Sequence, residues 1–149
     1  MDQWLHVGDR LIMNENDFDQ FMTQREEASN AFVNGDVEPL RKISTEVSPA
    51  TIFGPKGDCV QGADQVNRAN ARGAKLFRPG SKNSFEVMHH GADENIAYWA
   101  GIQRSVVQMQ GQERGIPMDL RVTEIFRREQ GHWKLIHRHA DKLTSGDAA

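Results

Sequence analysis

The stretch "GHWKLIHRHADKL", residues 131–143, alternates Trp133, Leu135, His137 and His139 with Lys134, Ile136 and Arg138. A period of two reads as a β-strand, because successive side chains leave a strand on opposite faces. Just upstream, Gln130-Gly131 supplies a two-residue hairpin turn, and "MDLRVTEIFRRE" before it supplies the partner strand. That turn sets Glu129 opposite His132, and antiparallel pairing then brings Phe126 opposite Leu135, Glu124 opposite His137 and Val122 opposite His139. A three-residue loop would instead bring Thr123 opposite His137. The apolar pattern favours the two-residue turn: Met118, Leu120, Val122 and Phe126 share one face, and only this register lays them beside Trp133 and Leu135.

Glu124 and two imidazoles then interrupt an apolar surface. Burial raises the pKa of a carboxylate, while a neighbouring imidazolium lowers it, so Glu124 and His137 form a candidate acid/base pair near neutral pH. His139, Tyr98 and Trp133 are the candidate ligand-binding residues around it. The same pair read structurally is a hydrogen bond that fixes the sheet register. Glu124, His137 and His139 also make a possible three-ligand metal set, but no further ligand is placed by spacing, so no metal or other cofactor is expected. His89 and His90 point to opposite faces of their strand, and Arg121 and Arg127 lie on the face away from Glu124.

Outward from the hairpin, "SFEVMHHG" and "NIAYWAGIQRSVVQMQ" are two further strand candidates, separated by "GADE". Earlier in the chain the period is near 3.6. Phe18, Phe21, Met22, Ala28 and Phe32 form one helical stripe that stops at Asn34-Gly35. A short helix follows from Val37 to about Ile43, with Pro39 in its first turn. "SPATIFGPKGD" is a brief strand ending in a turn. A third helix opens at Gly62 and Asp64, with Val66, Ala69 and Gly73 on its stripe. Helices first and strands second, with short connections, point to an α+β fold in which helices cover one face of an antiparallel sheet.

At 149 residues the chain has the size of one domain. A formal charge of -3, with basic and acidic residues interspersed, gives no stripe for a phosphate backbone, and nucleic acid is not an expected partner. The lone Cys59 in "PKGDCVQG" cannot form an internal disulfide, which fits a cytoplasmic protein. No apolar run is long enough for a membrane span, so no membrane partner is expected. Met13 opens a more usual start. Residues 1–15 therefore read as an N-terminal extension, 16–142 as the domain, and 143–149 as a tail expected to fray.

The order of elements, joined to "LRVTEIFRREQGHWKLIHRHAD", resembles the nuclear transport factor 2-like superfamily, which includes SnoaL-like and ketosteroid-isomerase-like proteins. The resemblance covers about residues 16–142. "IAYWAGIQ" followed by "TEIFRREQGHWKLIHRH" is also similar to the association domain of calcium/calmodulin-dependent protein kinase II. The resemblance implies a cone-shaped fold, N-terminal helices packed on a curved antiparallel sheet, with a pocket between them and a homodimer formed through the outer sheet face. It implies a pocket for a small organic ligand, serving a cofactor-independent isomerase, dehydratase or cyclase that moves protons, or a non-catalytic ligand-binding or oligomerisation module. The chain departs from both relatives. The tyrosine of the isomerases belongs to the first helix, where Phe18, Phe21 and Met22 stand here. The pocket arginines of the kinase domain align with Ala100 and Glu124, so its ligand preference does not carry over.

Overall fold

The computed structural model of the chain describes residues 4–7, 10–13 and 16–144. Residues 145–149, most of the tail expected to fray, lie outside the described residues. Within the segment read as an extension, β1 (Trp4–Val7) and β2 (Arg10–Met13) form a separate two-stranded antiparallel ribbon.

Helix α1 spans Asn16–Phe32. Its buried face carries Phe18, Phe21 and Ala28 at helical spacing, and on the same stripe it also buries Arg25 and Ser29. The helix ends where expected: Gly35 takes a positive φ of 94°, and its N–H donates to the carbonyl of Phe32 at 3.0 Å. Helix α2 (Glu38–Ile43) follows, its first turn held by Asp36, which accepts from the Glu38 N–H at 3.0 Å. Helix α3 (Ala63–Ala74) buries Ala63 and Val66 in a small cluster with Ala50, Ile52 and Val60. No helix among the described residues is long and apolar enough to cross a membrane.

The main sheet has the order β4 (Cys59–Gln61), β3 (Thr51–Phe53), β9 (His132–Lys142), β8 (Leu120–Glu129), β6 (Ile96–Val107), β5 (Lys82–Ala92), and a short β7 (Ile116–Pro117) also pairs with β6. The four strands read from the sequence pair with one another antiparallel, as expected. The sheet is nonetheless mixed, because β3 joins β9 in parallel. One face receives α1 and α2, and the core forms there from Phe18, Phe21, Leu40, Trp99, Val122, Phe126, Trp133 and Leu135. Phe126 has no exposed surface and meets Phe21 edge-on, with ring centres 5.1 Å apart. Gly101 lies where β5 slips register between Val87 and His89; a Cβ there would stand 2.1 Å from the carbonyl oxygen of Glu86, so only glycine permits that approach.

The hairpin turn is as read: Gln130 and Gly131 have φ of 50° and 82°, Glu129 faces His132, and Phe126 faces Leu135. Beyond that point the expected register is wrong. A β-bulge gives β9 one extra residue, Ile136, so Ile125 faces His137, Glu124 faces Arg138, Thr123 faces His139 and Val122 faces Ala140. One inserted residue exchanges the two faces of a strand. Arg138 and Ala140 thereby take over the inward face begun by Trp133 and Leu135. His137 and His139 turn to the other side, against the ring of Phe53.

Candidate functional site

The polar cluster beneath the helices is built around a buried carboxylate. Glu124, completely shielded from solvent, accepts hydrogen bonds from Arg25 Nε and Nη2 at 2.8 and 2.7 Å, from Arg138 Nη1 at 2.8 Å and from Trp99 Nε1 at 2.8 Å. The Arg25 contact is bidentate, the geometry in which a planar guanidinium best matches a carboxylate. Local structure explains each position. Arg25 falls on the inward stripe of α1, Trp99 and Glu124 face the same side of adjacent strands, and the bulge at Ile136 rotates Arg138 inward. Arg25 also lies over Phe85, which stacks on Trp99 at 4.5 Å.

The polar chain continues sideways. Arg138 Nη2 donates to Gln103 Oε1 at 2.7 Å, Gln103 Nε2 donates to Asn83 Oδ1 at 2.8 Å, and Asn83 Nδ2 donates to Ser29 Oγ at 3.0 Å. Ser105 Oγ donates to the same Asn83 oxygen at 2.6 Å. Such a network fixes side-chain orientation because each member occupies its neighbour's hydrogen-bonding groups.

Beside it lies a cavity of about 120 Å³. Arg25, Ser29, Gln103 and Arg138 form its polar side; Phe32, Val33, Leu40, Phe77, Leu120 and Leu135 are among its apolar walls; Thr51, Asn70 and His137 border it elsewhere. His137 Nδ1 lies 2.6 Å from Thr51 Oγ1. Burial, and then the neighbouring His139, hold the His137 imidazole below its usual range, so it is neutral at pH 7.

Glu124 is perturbed in the direction opposite to that of a poised acid. Burial by itself pushes its carboxyl up, but Arg25 and then Arg138 outweigh it and bring the pKa from 4.5 down to about 2. Glu124 is therefore a fixed anion at any physiological pH. Burial pushes Arg138 down, which Glu124 opposes, and a guanidinium keeps its proton in any case.

These positions correct the expected site. Glu124 and His137 are not hydrogen-bonded partners: arginines hold the first, and Thr51 meets the second. Tyr98 sits on the opposite face of β6 from Trp99, is 36% exposed, and shares a hydrogen bond with His89 at 3.0 Å. His139 is exposed and lies 3.5 Å from Asp141. Trp133 is core: it packs on Phe18, donates Nε1 to Asp17 at 3.1 Å, and carries the Arg128 guanidinium 4.1 Å above its ring. None of these three lines the cavity. The metal alternative fails on the same geometry, since Glu124 points inward and the histidines do not. Among the described residues no three His, Cys, Asp or Glu side chains gather as a metal site.

Arg25 and Arg138 were not singled out in the sequence. For Arg25 a signal existed: it occupies a core position of the stripe Phe18, Phe21, Met22, Ala28, where a charge must find a partner.

The arrangement, a mixed sheet carrying a walled cavity under N-terminal helices, is that of nuclear transport factor 2-like proteins. The SnoaL-like domain profile matches residues 25–141, and the chain belongs to that family. No curated protein matches the chain. Among solved structures it is similar to a protein from Streptomyces avermitilis described as a dehydratase of the NTF2-like family, with TM-score 0.70, 18% identity, and coverage of 87% of this chain and 98% of that one. A Thiobacillus denitrificans protein described as a calcium/calmodulin-dependent protein kinase type II association domain gives TM-score 0.64 and 13% identity, over 83% and 94% of the two chains. An NTF2-like protein from Shewanella oneidensis MR-1 gives TM-score 0.62 and 14% identity, over 85% and 98%. At these identities the likeness is one of fold.

Proposed function

We propose that this SnoaL-like protein binds a small, partly apolar organic molecule in the cavity between its helices and sheet. The observation that carries this reading is the cavity's composition: continuous apolar walls with a hydrogen-bonded charged cluster on one side, the usual make-up of a site that both shelters and orients a ligand. Filling it is the direct test. Leu120→Trp is expected to cost about 1–3 kcal/mol of stability through overpacking. Native mass spectrometry should show a small molecule retained by the purified wild-type protein and lost by the variant. An empty wild-type protein, or equal retention by both, would count against the proposal.

A second reading, proton transfer on the bound molecule in the manner of an isomerase, dehydratase or cyclase, rests on His137. It is among the residues that border the cavity and is neutral at pH 7, whereas Glu124 has both oxygens committed to arginines and Trp99; because its ring rests against Phe53 and Thr51, serving as the base requires the His137 side chain to swing into the cavity. His137→Asn separates the two readings: retained binding with the molecule unchanged in both proteins favours binding alone, while conversion that stops in the variant favours catalysis.

The proposed assembly is a homodimer. Val87, Met88, Ile96, Tyr98 and Val106 expose apolar surface on β5 and β6, a surface that a second copy would cover. Sedimentation equilibrium should give twice the monomer mass, and a monomer at all concentrations would overturn the assembly.

A further inference from the structure

We infer that the ligand is a small organic acid, and that its carboxylate seats on the polar side of the cavity beside Arg25 and Arg138. This rests on the reading that the cavity is a ligand site, and deepens it by naming the chemical class.

The charge balance points there. Two guanidinium groups face one carboxylate in the buried cluster, leaving one positive charge, and no aspartate or glutamate lines the cavity. A positive charge without its own counter-ion in a largely buried cluster, Arg25 3% and Arg138 20% exposed, is costly, and an anion in the adjoining space relieves it. Hydrogen-bonding groups also remain open. Arg25 directs Nε and Nη2 to Glu124, while its Nη1 is buried with no hydrogen-bond partner. Ser29 Oγ accepts from Asn83, which leaves the hydroxyl hydrogen to donate. Both residues line the cavity. Arg25 comes from α1 and Arg138 from the bulged part of β9, so the pair is a product of this chain's own register.

The remaining walls select against a bare inorganic ion. Phe32, Leu40, Phe77 and Leu135 give apolar surface that an alkyl or small ring body would cover. A cavity of about 120 Å³ suits a body of on the order of six to eight non-hydrogen atoms. A single excess charge matches a monoanion.

Calorimetric titration of the full chain in chloride-free buffer tests this, using straight-chain monocarboxylates from acetate to octanoate and the matching primary amides. Affinity should rise about three- to fourfold per added methylene until the cavity is full. Each amide should bind at least tenfold more weakly than its acid. Arg138→Gln keeps the bidentate Arg25–Glu124 pair but cancels the excess charge, so it should unfold cooperatively and lose at least tenfold in carboxylate affinity. Amides binding as tightly as acids, an affinity indifferent to chain length or to Arg138→Gln, or no carboxylate binding at millimolar concentration would each overturn the inference. If Arg138→Gln does not fold, the acid-to-amide ratio in the wild-type protein decides. Amides that bind the wild-type protein and lose affinity in Leu120→Trp would leave the cavity as a ligand site while removing its anionic character.

Discussion

Glu124→Leu should destabilise the protein by about 3–5 kcal/mol, a melting temperature lower by about 10 °C for a chain of this size. The reason is what remains. Without the carboxylate, Arg25 and Arg138 stand side by side with side chains only 3% and 20% exposed and no counter-charge, and Trp99 Nε1 loses its acceptor. The cost is that of stranding charges, so it should be recoverable. The triple variant Arg25→Met, Glu124→Leu, Arg138→Met replaces the cluster with apolar side chains of similar volume and should regain most of the loss, because a buried ion cluster and a packed apolar one differ little in net stability. Thermal or denaturant unfolding of the two variants measures both effects. A Glu124→Leu protein as stable as the wild type would mean that water or a different side-chain arrangement already compensates the arginines.

Acidification should weaken the protein through the same residue. The Glu124 carboxyl is held at about 2 in the folded state against 4.5 as an ordinary glutamate. Its contribution is present in full above pH 4.5 and is lost as pH falls from there towards 2, because the unfolded chain takes up the proton first. The difference corresponds to about 3 kcal/mol. Other carboxylates with lowered pKa, Glu129 among them, add to the slope. The part belonging to Glu124 is the difference between the wild type and Glu124→Gln, whose amide does not titrate. Stability measured from pH 6 to pH 3 should converge between the two proteins as pH falls. Parallel curves would show that Glu124 titrates normally.

The two halves of the β8–β9 hairpin show how far the sequence could be read. From the turn to Phe126 and Leu135 every pairing followed from local chemistry: a Gln-Gly turn that accepts positive φ, then apolar residues alternating in step on both strands. At Ile136 the inference failed, because a bulge is one residue and its effect is to exchange faces. The parity of the apolar residues carried the signal. Trp133 and Leu135 occupy odd positions and Ala140 an even one, while Val122 and Phe126 on the partner strand keep one parity throughout. The bulge and the parallel pairing of Thr51 with His137 occur together, and that second contact joins residues 86 apart in sequence, beyond any local pattern. The α+β order, the hairpin turn and the buried Glu124 were thus legible, whereas its partners were not. Arg25 lies 99 residues from Glu124, and Arg138 reaches it only because the strand slips.

A carboxylate amid apolar residues suggests a raised pKa and a proton to exchange, and that expectation assigned Glu124 a catalytic role. Two guanidinium groups reverse the sign, making Glu124 the counter-ion that holds Arg25 and Arg138 beside the cavity. What the cluster offers a neighbouring molecule is therefore the positive charge of the arginines rather than a proton on Glu124.

The most direct measurement is a carbon-13 NMR titration of the Glu124 side-chain carboxyl, assigned by comparison with Glu124→Gln. The resonance should stay at the ionised position from pH 7 down to about pH 3, where Glu124 is still an anion clasped by two arginines. A midpoint between pH 5 and 7 would contradict the account, since it would mean a carboxyl free of the guanidinium groups and able to exchange protons.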